Sequence, residues 1–345
     1  MPKSKNLVIL AAVVAVLAIV SVLQKTSHHR TTSRPSTAVL LEGTWSGDNV
    51  ARIALGLGEE PDIVVLEKGP DGWIVPSCWN ARASRTKIDG LLKVLSGLQG
   101  EFRSDREDVL ADYGLGPADA VTIRVRDAQG AEVASLDVGT APAGARGQFV
   151  RRPGSNAVYV SGTGVLAPLG LYGGPARPSA RTFLDLQAVQ DERNDVDRIE
   201  LVDEHGARTL AKVFAAAPAA GDSAGAGGVD RLTWEWTLSG DTSGPAAKTK
   251  ADGVLGAAVS IRAVDVDDPA GDPALYGLDA PARVATVVFA DGHTRRLAFG
   301  NERPADGDKP AGVWLRVDDD PTVWVATAYA ANNLFKAGAD LLPTP

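Results

Sequence analysis

The sequence predicts an α+β fold: two tandem copies of an antiparallel-sheet module with helices on one face, behind one N-terminal transmembrane helix. Three observations lead there. The second half repeats the first: Trp73-Ile74-Val75 returns as Trp236-Thr237-Leu238, Lys87-Ile88-Asp89-Gly90 as Lys250-Ala251-Asp252-Gly253, and Tyr113-Gly114-Leu115 as Tyr276-Gly277-Leu278. Each pair is 163 positions apart (236 − 73, 250 − 87, 276 − 113), a shared register that composition alone does not produce. Between the landmarks, short runs alternate apolar and polar residues and are bounded by Gly-bearing turns, the mark of half-buried strands. The third observation is a continuous apolar run near the start of the chain.

That run covers residues 7–23, from Leu7 to Leu23, where Ser21 is the only polar side chain, and Lys3 and Lys5 precede it. As a helix it rises about 26 Å, close to the minimum that crosses a bilayer. No small-x-small site follows, so an uncleaved signal-anchor is expected in preference to a cleaved signal peptide. Lys25, Arg30 and Arg34 behind the run balance the lysines before it, and flanking charge does not orient it. Long following domains translocate largely regardless of such charge. The expected location is therefore the inner (cytoplasmic) membrane, single-pass, with the lipid bilayer as partner of Leu7 to Leu23. The folded domains are extracytoplasmic, or periplasmic. The expected organisation is an anchor with a short cytoplasmic tail at 1–24, a flexible tether at 25–48, a first module at 49–190 and a second at 191–345. The tether's His28-His29 reads as solvated sequence.

Each module opens with an alternating strand (residues 50–57; 196–203), matched at the shorter spacing of 146 (198 − 52). A second strand follows (63–68; 208–214), then the tryptophan strand, so that a three-strand meander forms, its first copy turning at Asp71-Gly72. Ile88, Leu91, Leu92 and Leu95 recur at helical spacing and give that helix one apolar stripe. Its second-copy counterpart, near 246–258, has smaller side chains. The Tyr-Gly-Leu element closes a turn of helix, with glycine suited to a left-handed C-terminal position. Strand pairs follow at 121–126 with 133–138 and at 284–290 with 295–299, then a last hairpin in each copy. The Ala/Gly-rich insertion at 215–229, which accounts for the difference between the two spacings, reads as a surface loop.

The Arg-Ile strand starts, the tryptophan hairpins, the Tyr-Gly-Leu turn and the run Arg181-Thr182-Phe183-Leu184-Asp185-Leu186 before Asp195-Val196-Asp197-Arg198-Ile199 together resemble the bacterial domain-of-unknown-function family 4340. The resemblance covers nearly everything after the tether. It implies an envelope protein with one N-terminal membrane segment, in the company of gliding-motility-type ABC transporter components. It supplies no catalytic residues. The weak second helix and the insertion depart from the usual pattern.

The search for chemistry finds little. The formal net charge of −8 comes without any basic stripe, which argues against nucleic acid as a partner. Cys78 is the only cysteine, which excludes an internal disulfide and a thiolate cluster. His205 and His293 each fall in a Gly-bearing turn, and neither stands beside a nucleophile. Asp265-Val266-Asp267-Asp268-Pro269-Ala270-Gly271-Asp272 is the best metal candidate, but Pro269 occupies a required position of the calcium loop, and a solvated loop is expected. Asp318-Asp319-Asp320-Pro321 reads as a hairpin turn. Trp45, Trp73, Trp79, Trp234, Trp236, Trp314 and Trp324 could line a glycan surface, though their recurrence in both copies fits packing better. The expectation is therefore no catalytic, cofactor or metal site, and a non-enzymatic protein that presents its modules to a protein partner in a membrane complex. The alternatives are an envelope hydrolase with acidic catalytic residues and a glycan- or solute-binding protein.

Overall fold

A computed structural model describes residues 37–144, 146–216 and 229–343. The anchor expected at 7–23, His28-His29 and most of the insertion lie outside the described residues. Among the described residues no helix is long and apolar enough to cross a membrane. The contacts divide the described chain into two units, residues 37–64 with 87–179 and residues 65–86 with 180–343.

Strands are numbered along the chain. The first unit holds β1 (Thr37–Val39), β2 (Arg52–Leu57) and the start of β3 (Glu60–Gly69). After most of the helix Arg85–Leu95 come β6 (Gln99–Ser104), β7 (Val121–Arg126), β8 (Glu132–Val138), β9 (Phe149–Arg151) and β10 (Val158–Ser161). The helix buries Ile88, Leu91, Leu92 and Leu95, the stripe read from the sequence. Antiparallel ladders join β2 to β7, β7 to β8, β8 to β9, β9 to β10 and β10 to β6. β1 pairs with the other edge of β6, and Leu40 and Leu41 behind it are buried. The tether expected to run to residue 48 therefore ends earlier. Ala38-Val39-Leu40-Leu41 is a short apolar run, and both its strand pairing and its burial favour order; Arg152 fixes it further by donating from Nε to the Leu40 carbonyl at 2.9 Å.

In the second unit, the end of β3 pairs with β4 (Gly72–Val75), and β4 with β5 (Ala81–Arg82). After β11 (Gln187–Gln190) come β12 (Val196–Asp203), β13 (Gly206–Ala216), β14 (Val229–Gly240) and β15 (Gly244–Pro245). The helix Lys248–Val259 leads to β16 (Ser260–Arg262), β17 (Asp265–Asp267), β18 (Arg283–Phe289), β19 (Thr294–Arg303), β20 (Gly312–Val317) and β21 (Val323–Ala326). Here the ladders join β12 to β18, β18 to β19, β19 to β20, β20 to β21 and β21 to β17, all antiparallel. They are the pairings of β2, β7, β8, β9, β10 and β6 over again. The hairpins β3–β4–β5 and β13–β14–β15 likewise correspond, since Lys68 pairs with Trp73 and Lys212 with Trp236. The described structure is thus an α+β arrangement of mostly antiparallel strands.

The landmarks also correspond in detail. Ala83 donates its N–H to the Trp73 carbonyl at 2.7 Å, and Ala246, 163 positions on, donates to that of Trp236 at 2.9 Å. Gly114 and Gly277 take φ of 64° and 66°, and the next residue reaches back five positions, Leu115 to Leu110 and Leu278 to Pro273, each at 2.9 Å. That is the Schellman end expected of a Gly-terminated turn. The helix Lys248–Val259 buries Ala251, Val254, Leu255, Ala258 and Val259, so its small side chains form an inward stripe after all.

Behind each Tyr-Gly-Leu turn stands a glycine whose missing side chain matters. A Cβ on Gly139 would meet the Tyr113 carbonyl oxygen at 2.1 Å, and one on Gly300 the Tyr276 carbonyl oxygen at 2.0 Å. Gly139→Ala and Gly300→Ala are each expected to destabilise by about 1–3 kcal/mol through this overpacking. Gly253→Ala, in open space within the helix Lys248–Val259, should stabilise by up to about 1 kcal/mol. Urea midpoints of the three variants check the contrast.

Candidate functional site

The densest polar chemistry of the second unit surrounds β17. Its first residue, Asp265, has a side chain only 1 % exposed and is held by two guanidiniums: Arg181 donates from Nε at 2.9 Å and Arg303 from Nη2 at 3.0 Å. Arg303 also approaches Asp267 at 3.4 Å and donates to the Pro310 carbonyl at 2.7 Å, while Trp314 Nε1 donates to Asp267 at 3.1 Å. The solvated loop expected at 265–272 is thus corrected at its start. Residues 265–267 are a strand, and Asp265 lies inside because arginines distant in sequence neutralise it. The rest of that segment does turn. Asp268 accepts from the Ala270 N–H, and Asp272 caps the short helix Pro273–Tyr276 by accepting from the Ala274 N–H at 2.9 Å.

Facing β17 is the turn between β4 and β5. Pro76–Cys78 form one turn of 3-10 helix, and Trp79 and Asn80 both follow in the left-handed region, with φ of 54° and 59°. Two such non-glycine residues in succession cost roughly 1–3 kcal/mol each, so surrounding contacts must hold the turn in place. Three are evident: Ser84 donates its N–H to the Phe183 carbonyl, Asp185 donates to that of Arg82, and the Arg82 guanidinium lies 5.6 Å from the Trp324 ring centre. Cys78 is buried beneath the turn, beside a cavity of about 210 Å³ lined by Trp79, Asn80, Val266, Asp267, Pro269 and Thr322. Burial pushes its thiol up, against the pull of Arg181. A protonated buried thiol is a poor nucleophile.

A second cluster sits on the β13–β14 hairpin. The Lys212 ammonium lies 4.0 Å from the ring centre of Trp234, 5.8 Å from that of Phe214 and 5.9 Å from that of Trp236, and it donates to the Arg193 carbonyl. Burial above all, then Arg231, lowers its pKa from 10.5 to about 8. Asp252 accepts from Trp236 Nε1 at 2.7 Å and from Trp234 Nε1 at 3.3 Å. Sequence reading passed over Lys212. The available signal was the lysine opposite the tryptophan in both hairpins.

The other sequence candidates are dispersed. His205 and His293 are exposed turn residues whose N–H groups bond to Asp203 and Asp291, and His293 stacks on Phe289. Asp318 lies at the β20–β21 turn and binds Arg295 at 3.1 Å. Trp73, Trp236, Trp314 and Trp324 are buried, so these four serve packing. In the first unit one cleft carries Glu42 and Glu132 and another Asp112 and Asp119, all four exposed to solvent. Among the described residues no group of three or more His, Cys, Asp and Glu side chains is placed to hold a metal ion.

Residues 73–213 match the family described as a domain of unknown function, DUF4340. Over this stretch the chain is similar to that family. The matched stretch begins on β4, at the buried Trp73, and ends on β13, one residue past Lys212. It therefore takes in the Tyr-Gly-Leu turn of the first copy and the opening strands of the second. No curated protein and no solved structure matches the chain significantly.

Asp265→Ala would take from Arg303, which is 5 % exposed, its nearer carboxylate and leave it only Asp267 at 3.4 Å. A loss of about 3–5 kcal/mol is expected, measurable as a lower urea midpoint. Lys212 makes stability depend on pH. Its folded-state pKa lies below the unfolded one, so the unfolded chain holds more protons between about 8 and 10.5. Below about 8 the cost of burying the charge is fully present, and stability rises with pH across that window. Lys212→Met should remove this rise, which unfolding at about pH 7 and about pH 10 compares directly.

Proposed function

We propose that the chain is a non-enzymatic, membrane-anchored envelope protein whose duplicated α+β domain is presented to a protein partner within a gliding-motility-type ABC transporter complex. The anchor is the apolar run at 7–23, and the two modules stand outside the cytoplasm.

One observation carries the reading. The buried carboxylates Asp137, Asp203 and Asp265 each accept from arginine: Asp137 from Arg151 at 3.0 Å, Asp203 from both ends of Arg208 at 2.7 Å, Asp265 from Arg181 and Arg303. A general base or nucleophile needs lone pairs directed at a substrate. Asp203 and Asp265 direct both oxygens at guanidiniums and Asp137 one of its two, which supports reading them as structural supports of a binding scaffold. The doubled ladders support the same reading, because they repeat one backbone frame.

Crosslinking of the full-length protein in intact membranes, followed by capture and mass spectrometry, tests the reading. The expected outcome is a membrane protein partner together with an N-terminal peptide that still contains residues 7–23. A protein recovered without its apolar run, or with no crosslinked partner, would contradict it.

A further inference from the structure

The two copies can be compared position by position around one sheet face. Tyr113 packs on Phe149 at 4.5 Å between ring centres, and Tyr276 on Trp314 at 5.0 Å, which sets β9 against β20. The strand pairing then equates Tyr159 with Trp324 and Phe102 with Val266, since Tyr159 stands opposite Phe102 and Trp324 opposite Val266. The equivalent pairs differ in cover. Val266 and Trp324 are 2 % and 1 % exposed, whereas Phe102 is 38 % exposed and Tyr159 half-buried.

The cause of the difference is visible in the second unit. The β4–β5 turn lies over Val266 and Trp324, presenting Arg82 to the Trp324 ring and Trp79 to the cavity beside Val266. Phe102 and Tyr159 form an edge-to-face pair, 5.7 Å between ring centres, and Phe102 stays open to solvent. The second copy cannot supply such a turn from its own equivalent loop. Where the first turn carries Cys78, Trp79 and Arg82, the β14–β15 turn carries Asp241, Thr242 and Pro245.

We propose that the Phe102–Tyr159 face of the first unit is a protein-docking site that takes an arginine-bearing β-hairpin turn of a partner, guanidinium over the Tyr159 ring, as the β4–β5 turn covers Trp324. The proposal rests on the partner-binding reading above and names the kind of segment the partner offers. The apolar pair supplies the buried contact, and the ring face accepts the cation as the Trp324 ring accepts Arg82.

A dye-labelled, backbone-cyclised peptide with the sequence of residues 70–84 is the probe, titrated against the full-length protein by fluorescence anisotropy. Saturable binding is expected, weakened about tenfold or more by Phe102→Asp in the protein and by Arg82→Ala in the peptide. Phe102 is exposed, so the thermal midpoint of the variant should match that of the parent. Phe102→Ser serves as a second variant if the aspartate lowers it. Absence of binding, or equal binding to parent and variants, overturns the proposal. The membrane crosslinking separates it from the broader reading: partner adducts that persist undiminished in Phe102→Asp overturn this docking face and leave partner binding standing, whereas a parent protein without adducts overturns partner binding itself.

Discussion

Both copies depend on one close approach of backbone to backbone. The carbonyl oxygen of Tyr113 or Tyr276, at the end of a turn capped by a left-handed glycine, comes so near the next hairpin that Gly139 or Gly300 has no room for a side chain. This contact fixes where the turn ends against the strand behind it. In the first copy Thr140 then donates its N–H to the same Tyr113 carbonyl at 2.9 Å. With the turn fixed, Tyr113 meets Phe149 and Tyr276 meets Trp314, and a small apolar cluster closes around each. Glycine is required here by geometry, which is why the same three-residue motif marks both halves.

On this common frame the copies have diverged by charge. Where the first copy has Glu101, the second has Asp265, and the second has surrounded it with Arg181 and Arg303. Such a pair adds little net stability over an apolar core but is costly to break. It therefore specifies the local arrangement of β17 more than it strengthens it. The Lys212 cluster has a similar character. An ammonium among three aromatic rings is favoured by their faces and penalised by burial, and burial lowers its pKa.

Much of the fold was legible in the sequence because its signals are local. The period of Ile88, Leu91, Leu92 and Leu95, the Asp291-Gly292 turn and the Tyr-Gly-Leu motif each state a backbone requirement within a few residues. The site chemistry was less legible because it is not local. Asp265 reads as one acid in a solvated run until Arg181, 84 positions away, and Arg303, 38 positions away, are brought to it. The helix Lys248–Val259 looked weak from its alanines and glycines, yet Ala251 and Ala258 are fully buried, since small side chains let a helix approach closely. The apolar run Ala38-Val39-Leu40-Leu41 was masked by the polar tether before it.

The central claim is that the second half is a complete second copy of the first, equally ordered despite its small-residue helix. Amide hydrogen exchange on the full-length protein tests this most directly, read at two matched pairs: Ala83 with Ala246, and Leu115 with Leu278. Each amide is bonded to a carbonyl of its own copy, to Trp73, Trp236, Leu110 and Pro273 respectively. The account predicts protection at all four, comparable within each pair. Protection at Ala83 and Leu115 with exchange at unfolded-chain rates at Ala246 and Leu278 would contradict it.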